Sequence, residues 1–140
     1  MSFREKTAWL MAAALAVTGL WYAQNVAALS GDMGQIAPPS MVMAIEYLVL
    51  LIGLVIAGNL VLMAIGPREE DEAMDERDQI IAARAGNASG YILAAGVLSA
   101  LGHFLFLGDG NALFHGVFLS LVVSNVADYS LQIYFYRRSI

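Results

Sequence analysis

Four long, nearly uncharged apolar runs constrain this chain more than any other feature of its sequence. The first has 23 consecutive residues without a charge, and as a helix it reaches about 35 Å, enough to cross a hydrocarbon core of about 30 Å. Only helices and closed barrels satisfy their backbone groups in lipid, and these runs are too long for barrel strands. The basic start of the chain also fits a cleaved signal peptide, but the first run is long for the apolar part of one. The predicted spans are residues 7–29, 41–65, 86–107 and 112–136.

The composition agrees with a single membrane domain. Hydrophobic residues make up 59% of the chain and charged residues 14%, against about 45–50% and about 25% in soluble domains. The absence of cysteine excludes disulfide frameworks, thiol catalysis and iron–sulfur clusters. No nucleophile with its base, phosphate loop or dinucleotide fingerprint is present, so we do not expect an enzyme. We predict an all-α, integral membrane four-helix bundle, built from two helical hairpins over residues 1–140.

The basic residues predict the orientation of the bundle. All seven Lys and Arg fall at the N-terminus, in the loop of residues 66–85 or at the C-terminus, and the two other loops have none. Positive charge near the ends of spans is retained in the cytoplasm. The prediction is therefore a multi-pass protein of the bacterial inner membrane, surrounded by the lipid bilayer, with both termini and the 66–85 loop cytoplasmic.

The 66–85 loop is strongly acidic, with seven Asp and Glu between positions 69 and 78. Such a run is usually a solvated connector, but it can also bind a basic cytoplasmic or membrane protein; nucleic acid, itself an anion, is not expected. Acidic residues suit the first turn of a helix, with Asp71 or Asp75 as its cap. The second half of the loop is therefore predicted to be a helical lead-in to the third span. Its candidate partner-binding residues are Asp75, Glu76, Arg77, Asp78 and Arg84.

The segment from Asp75 to Ala85 reads Asp-Glu-Arg-Asp-Gln-Ile-Ile-Ala-Ala-Arg-Ala. It resembles the signature of a family of small bacterial membrane proteins of unknown function. These have four predicted spans and a cytoplasmic Asp-Glu-Arg-Asp/Glu motif just before the third span. The resemblance covers these eleven residues and the hydropathy layout. Some members resemble proteins encoded beside small helix-turn-helix regulators, so it implies a regulatory or accessory role and supplies no catalytic residue.

A polar layer is predicted in the cytoplasmic half of the spans. Asn125, Asp128 and Gln132 have the spacing of one helix face, and Asn59 lies at a similar depth. A charge at the centre of a span costs roughly 2.5–3.5 kcal/mol. The four residues would either hydrogen-bond the helices together or handle protons or cations through Asp128.

A second polar set is predicted in the outer half. His103 and His115 each lie six residues from Asp109, which puts them at one depth of a hairpin, and Glu46 lies in the same half of the second span. Two imidazoles and a carboxylate can bind zinc or another transition metal, and two histidines can ligate a haem. Ordinary hydrogen bonding of the two histidines is the alternative, and a cofactor is not expected.

The leading hypothesis is a non-enzymatic protein that acts through protein contacts, as a regulatory or accessory subunit. A small oligomeric transporter or channel that uses Asp128 or Glu46 is the first alternative, and a metal- or haem-binding protein is the second. Small residues such as Gly86 and Gly90 allow helices to approach closely. Such contacts fit packing within one chain and also a homodimer.

Overall fold

The computed structural model describes residues 3–65 and 75–138, and within them the chain is helical without a β-strand. The all-α prediction is therefore confirmed. All four helices are long and apolar enough to cross a membrane, judged by length and composition. They are α1 (Phe3–Met33), α2 (Met41–Ile65), α3 (Glu76–Leu107) and α4 (Gly110–Arg137).

The helices pack side by side as a row in the order α2, α1, α4, α3. Helix α4 packs on both α1 and α3, whereas α2 packs on α1 and reaches α4 through the ring of Tyr47, which lies 5.0 Å from that of Phe118. Neighbours are antiparallel, since Leu10 of α1 lies against Gly58 while Tyr22 of α1 lies against Tyr47. The two predicted hairpins are present, but they join edge to edge through α1 and α4 and do not close around a common axis.

The row has two ends, which we name by what they contain. The terminal end holds the starts of α1 and α3 and the finishes of α2 and α4, and therefore the first and last residues described. The turn end holds the α1–α2 connection and the tight α3–α4 turn.

Local sequence signals explain where α3 and α4 begin and end. Gly108 ends α3 with φ 68°, a conformation that glycine adopts without a steric penalty. Asp109 caps α4, because its Oδ1 accepts hydrogen bonds from the backbone N–H of Asn111 at 2.9 Å and Ala112 at 3.1 Å. Asp75 is at the N-cap position of α3 but makes no side-chain capping bond, and Asp71 lies outside the described residues. The start of α3 at Glu76 agrees with the predicted helical lead-in.

Glycines allow α3 and α4 to approach closely. A Cβ at Gly116 would lie 2.9 Å from the Cβ of Ala100, and a Cβ at Gly96 would collide with Ser120. Gly86 and Gly90, which we expected to pack against a neighbouring helix, have nothing within 4 Å of such a Cβ. Gly86 and Gly90 therefore lie beside the contact face of α3, which at this level carries the buried Ile81, Ala85 and Ser89.

We predict that Gly96→Val destabilises the protein and that Gly102→Val on the same helix does not. Valine at 96 collides with α4 and costs about 1–3 kcal/mol as overpacking does, whereas nothing lies within 4 Å of a Cβ at 102. Unfolding in mixed micelles, followed by circular dichroism, measures both. Equal stabilities of the two variants would contradict the packing of α3 on α4 through Gly96.

Candidate functional site

His115 is the centre of a hydrogen-bonded group at the turn end. The side chain is buried, with 5% exposed, and so is Tyr22 with 2%. The Tyr22 hydroxyl and His115 Nδ1 are 2.8 Å apart, and His115 Nε2 lies 2.8 Å from the carbonyl oxygen of Ala37. The group joins α1, α4 and the connection between α1 and α2.

The partners of His115 determine its tautomer. A carbonyl oxygen can only accept, so Nε2 carries the hydrogen and donates it to Ala37. In the neutral ring Nδ1 is then an acceptor and takes the hydrogen of the Tyr22 hydroxyl. Both nitrogens are in use, so neither has a lone pair left for a metal ion or a haem iron.

The α1–α2 connection is fixed by further bonds around the same group. Ser30 Oγ accepts from the Ala37 backbone N–H at 2.9 Å. Asn111 Nδ2 donates to the Ile36 carbonyl at 3.1 Å. Both backbone groups of Ala37 are thereby satisfied, as a buried residue requires. His115 therefore acts as an anchor for this connection.

His103, His115 and Glu46 do not form the candidate metal or haem site. His103 is exposed on α3 at the edge of the row, and Glu46 is exposed on α2 at the opposite edge. The described residues contain no group of three His, Asp or Glu side chains placed to hold a metal ion. Equal depth in the membrane did not bring the three side chains together, because α1 and α4 lie between the two edge helices.

Asn59 and Asp128 of the predicted polar layer lie at a similar level of the row, but the described residues show no hydrogen bonds among its four members. Gly58 lies against Leu10, and Tyr129 packs on the cluster of Ala8, Ala12 and Ile133, so the neighbouring Asn59 and Asp128 share a level of α1. Asn59 donates to the carbonyl of Val55 at 2.8 Å, and Asn125 to that of Leu121 at 2.7 Å. Both amides thus bond within their own helix. Gln132 is partly buried on α4.

Asp128 is the exception in this layer. Its Oδ1 is buried and has no hydrogen-bond partner among the described residues. An unsatisfied buried polar atom costs about 1–3 kcal/mol, and more for a charged group. Asp128 is therefore, among the described residues of the spans, the polar side chain whose hydrogen bonding is least satisfied.

Charged side chains join three helices at the terminal end, in an arrangement we call the terminal clamp (Arg4, Glu5, Asp78, Tyr136 and Arg137). Arg4 Nε lies 3.0 Å from Asp78 Oδ2, and the Tyr136 hydroxyl donates to Asp78 Oδ1 at 2.8 Å. Arg137 Nε donates to Glu5 Oε1 at 3.3 Å. The clamp ties the first turn of α3 to the start of α1 and the end of α4.

The candidate partner-binding residues differ in exposure, because the terminal clamp covers one of them and leaves the others exposed. Asp78 is mostly covered, with 19% of its side chain exposed, because it bonds to two other helices. Asp75, Glu76, Arg77 and Arg84 are exposed. Arg77 also reaches the backbone carbonyl of Tyr136 at 3.5 Å. The acidic residues at 69–72 lie outside the described residues.

Sequence reasoning missed Tyr22, Tyr136 and Arg4 as the partners of His115 and Asp78. Nothing local to these residues identifies them, since Tyr22 and His115 are 93 positions apart and Asp78 and Tyr136 are 58 apart. The usable signal was the predicted topology. It places the starts of the first and third spans and the finish of the fourth on one side, where opposite charges can pair.

We predict that His115→Leu lowers the stability of the protein and that His103→Leu changes it little. The first change leaves the Ala37 carbonyl and the Tyr22 hydroxyl without a partner, at a cost of about 2 kcal/mol. The second removes an exposed ring, for which an effect within about 0.5 kcal/mol is expected. Unfolding in mixed micelles compares the two, and added zinc should not alter either result. Stabilisation by zinc that depends on His103 would contradict this account.

No protein-family model, curated protein or solved structure matches this chain.

Proposed function

We propose that this chain is a non-enzymatic, multi-pass protein of the bacterial inner membrane that acts by contact with a partner protein. The terminal end is its cytoplasmic side, and its role is that of an accessory or regulatory subunit. Every Lys and Arg lies near a terminus or in the 66–85 loop, and the other two loops have none. Because positive charge near the ends of spans is retained in the cytoplasm, this distribution supports the orientation. Four helices of sufficient length and apolarity support the multi-pass arrangement.

The observation that carries the proposal is the fixed start of α3. The terminal clamp holds Asp78 by two side-chain contacts to α1 and α4. The three residues before Asp78 are exposed, and Glu76 and Arg77 are already helical. A partner that binds them does not have to order this segment, so little conformational entropy is lost on binding.

The chemistry of this surface favours a basic partner. Asp75 and Glu76 present two carboxylates, with Arg77 beside them and no cap bond occupying Asp75. Arg or Lys side chains of a partner can pair with these carboxylates by charge-assisted hydrogen bonds. The same residues fall in the motif that resembles the family signature. We propose that Asp78 of the motif positions the surface and that the residues before it make the contact.

We predict that the double change Asp75→Lys, Glu76→Lys abolishes capture of the partner without loss of the fold. Both side chains are exposed, so the cost to stability is limited to about 1 kcal/mol from the positive end of the α3 dipole. Crosslinking from the exposed position 79, one turn along α3 from Asp75, in intact membranes and followed by purification, measures capture. Asp32→Lys, an exposed acid at the turn end, is the matched control and should change nothing.

Asp78→Asn separates positioning from contact. It weakens the bond to Arg4, so we expect lower stability together with reduced capture, whereas the double change reduces capture alone. If the crosslinked proteins are the same for the original chain and the double change, the proposed contact surface is wrong.

We predict that an impermeant maleimide added outside spheroplasts labels Gln35→Cys but not Asp75→Cys. The chain has no cysteine of its own, so each variant carries one thiol, and both positions are exposed. Asp75→Cys should react only after the membrane is permeabilised. Labelling of position 75 from outside would reverse the proposed orientation.

A further inference from the structure

We infer that Asp128 is the docking point for a Lys or Arg on a partner's transmembrane helix, which packs along the open face of α4. The inference rests on the proposed function, in that the chain works through contact with another protein, and it places a second contact inside the membrane. It concerns a different surface from the start of α3.

Among the described residues, one face of α4 has no helix backbone packed along it, although Phe118 at its edge contacts the Tyr47 ring of α2. His115, Val122 and Ile133 face α1, and Gly116 and Ser120 face α3. A third set of positions follows helical spacing between those two faces and includes side chains with 44% and 45% exposure, at Phe114 and Leu121. The set is Phe114, Leu121, Asn125, Asp128 and Gln132. It extends over 19 residues, about 27 Å of helix from the first to the last, which is enough to pack a second helix along its length.

This face is amphipathic along its length. The half near the turn end forms a shallow apolar groove of about 420 Å³, with Phe114, Phe118 and Leu121 in its lining. The half near the terminal end carries Asn125, Asp128 and Gln132. A helix that fits both halves is apolar with one polar position at the level of Asp128.

The surroundings of Asp128 indicate that the polar position of the partner helix carries a positive charge. Its Oδ1 has no hydrogen-bond partner within residues 3–65 and 75–138, and the chain has no Lys or Arg inside the four predicted spans. Arg84, the basic residue furthest along α3, forms no ion pair with it. Carboxylates inside membranes usually pair with a basic group, so a cationic side chain of another chain complements this face.

An ammonium or guanidinium group fits better here than a bare metal ion. Calcium binds six to eight oxygen ligands, and magnesium demands an octahedral set. The described residues offer no cluster of three His, Asp or Glu side chains for a metal ion. The Asn125 amide nitrogen is already committed to Leu121. Lys and Arg carry three and five donors of their own and need only one carboxylate with neighbouring acceptors.

The depth of Asp128 specifies the probe. It lies nine residues before Arg137, about 13 Å along the helix, which is close to the middle of a hydrocarbon core of about 30 Å. A synthetic Leu/Ala helix of about 23 residues with one central Arg therefore presents its charge at this level in either direction of insertion. The same helix with Gln, or with Glu, in place of the Arg is the matched control.

The experiment measures energy transfer between the labelled protein and each helix in liposomes. We expect the Arg helix to associate at about tenfold lower peptide-to-lipid ratio than the Gln helix, which corresponds to about 1.4 kcal/mol. Asp128→Asn should remove the difference, whereas Glu46→Gln, an acid exposed on α2, should keep it. If Asp128→Asn does not fold, the comparison of the three helices on the original chain gives the answer.

Equal association of the Arg, Gln and Glu helices overturns the inference, and so does an Arg preference that survives in folded Asp128→Asn. A cation or proton flux in liposomes of the protein alone, lost in Asp128→Asn, assigns the carboxylate to ion handling and also overturns it. Capture through Asp75 and Glu76 is independent of Asp128, so the two contacts fail separately.

Discussion

The packing of α4 against both α1 and α3 is the constraint on which the rest of the structure depends. The backbone of α2 packs on α1 and that of α3 on α4, and the α1–α4 contact joins these two hairpins. The Tyr47–Phe118 ring contact and the Arg4–Asp78 ion pair add side-chain links between the hairpins. In lipid no hydrophobic driving force holds helices together, and close packing with a few polar contacts must do so. Here α4 supplies two different faces, with an aromatic and branched one toward α1 and a small-residue one toward α3. The His115 group and the terminal clamp then fix the two ends of the same α1–α4 contact.

The polar residues of the spans fall into three groups according to their hydrogen-bond partners. The groups distinguish residues with a structural role from a candidate binding residue. Asn59 and Asn125 donate hydrogen bonds to carbonyls of their own helices, so these bonds do not involve neighbouring helices. His115 is fully satisfied between helices and fixes a connection. Asp128 has a buried oxygen without a partner. Polar residues inside the helices therefore differ in role, and only the partner atoms distinguish an anchor from a binding point.

Local features of the sequence predicted the helices and the tight turn well, because these depend on neighbouring residues. The length of each uncharged run gives a span, and Gly108 with Asp109 gives a stop and a start. The order of the helices in the row was not predictable in this way, because it depends on the fit of faces from distant parts of the chain. His103 and His115 show what the sequence could not predict. Their equal depth was deduced, but one ring is exposed and the other buried, since depth does not fix direction around a helix. The pairing of Asp78 with Arg4 was not predictable either, because it requires that α1 and α3 start side by side.

The position of α4 at the centre of the row has a consequence for how the chain is made. In the sequence α4 follows the other three helices, yet it is the neighbour that both α1 and α3 require. Tyr22 is translated 93 residues before His115, so its hydroxyl lacks this partner until α4 is made. Assembly of the row can therefore be completed only after translation has reached the C-terminal helix. A chain interrupted in α4 leaves the α1–α2 hairpin and an α3 without its neighbour, a form that membrane quality control can recognise and remove.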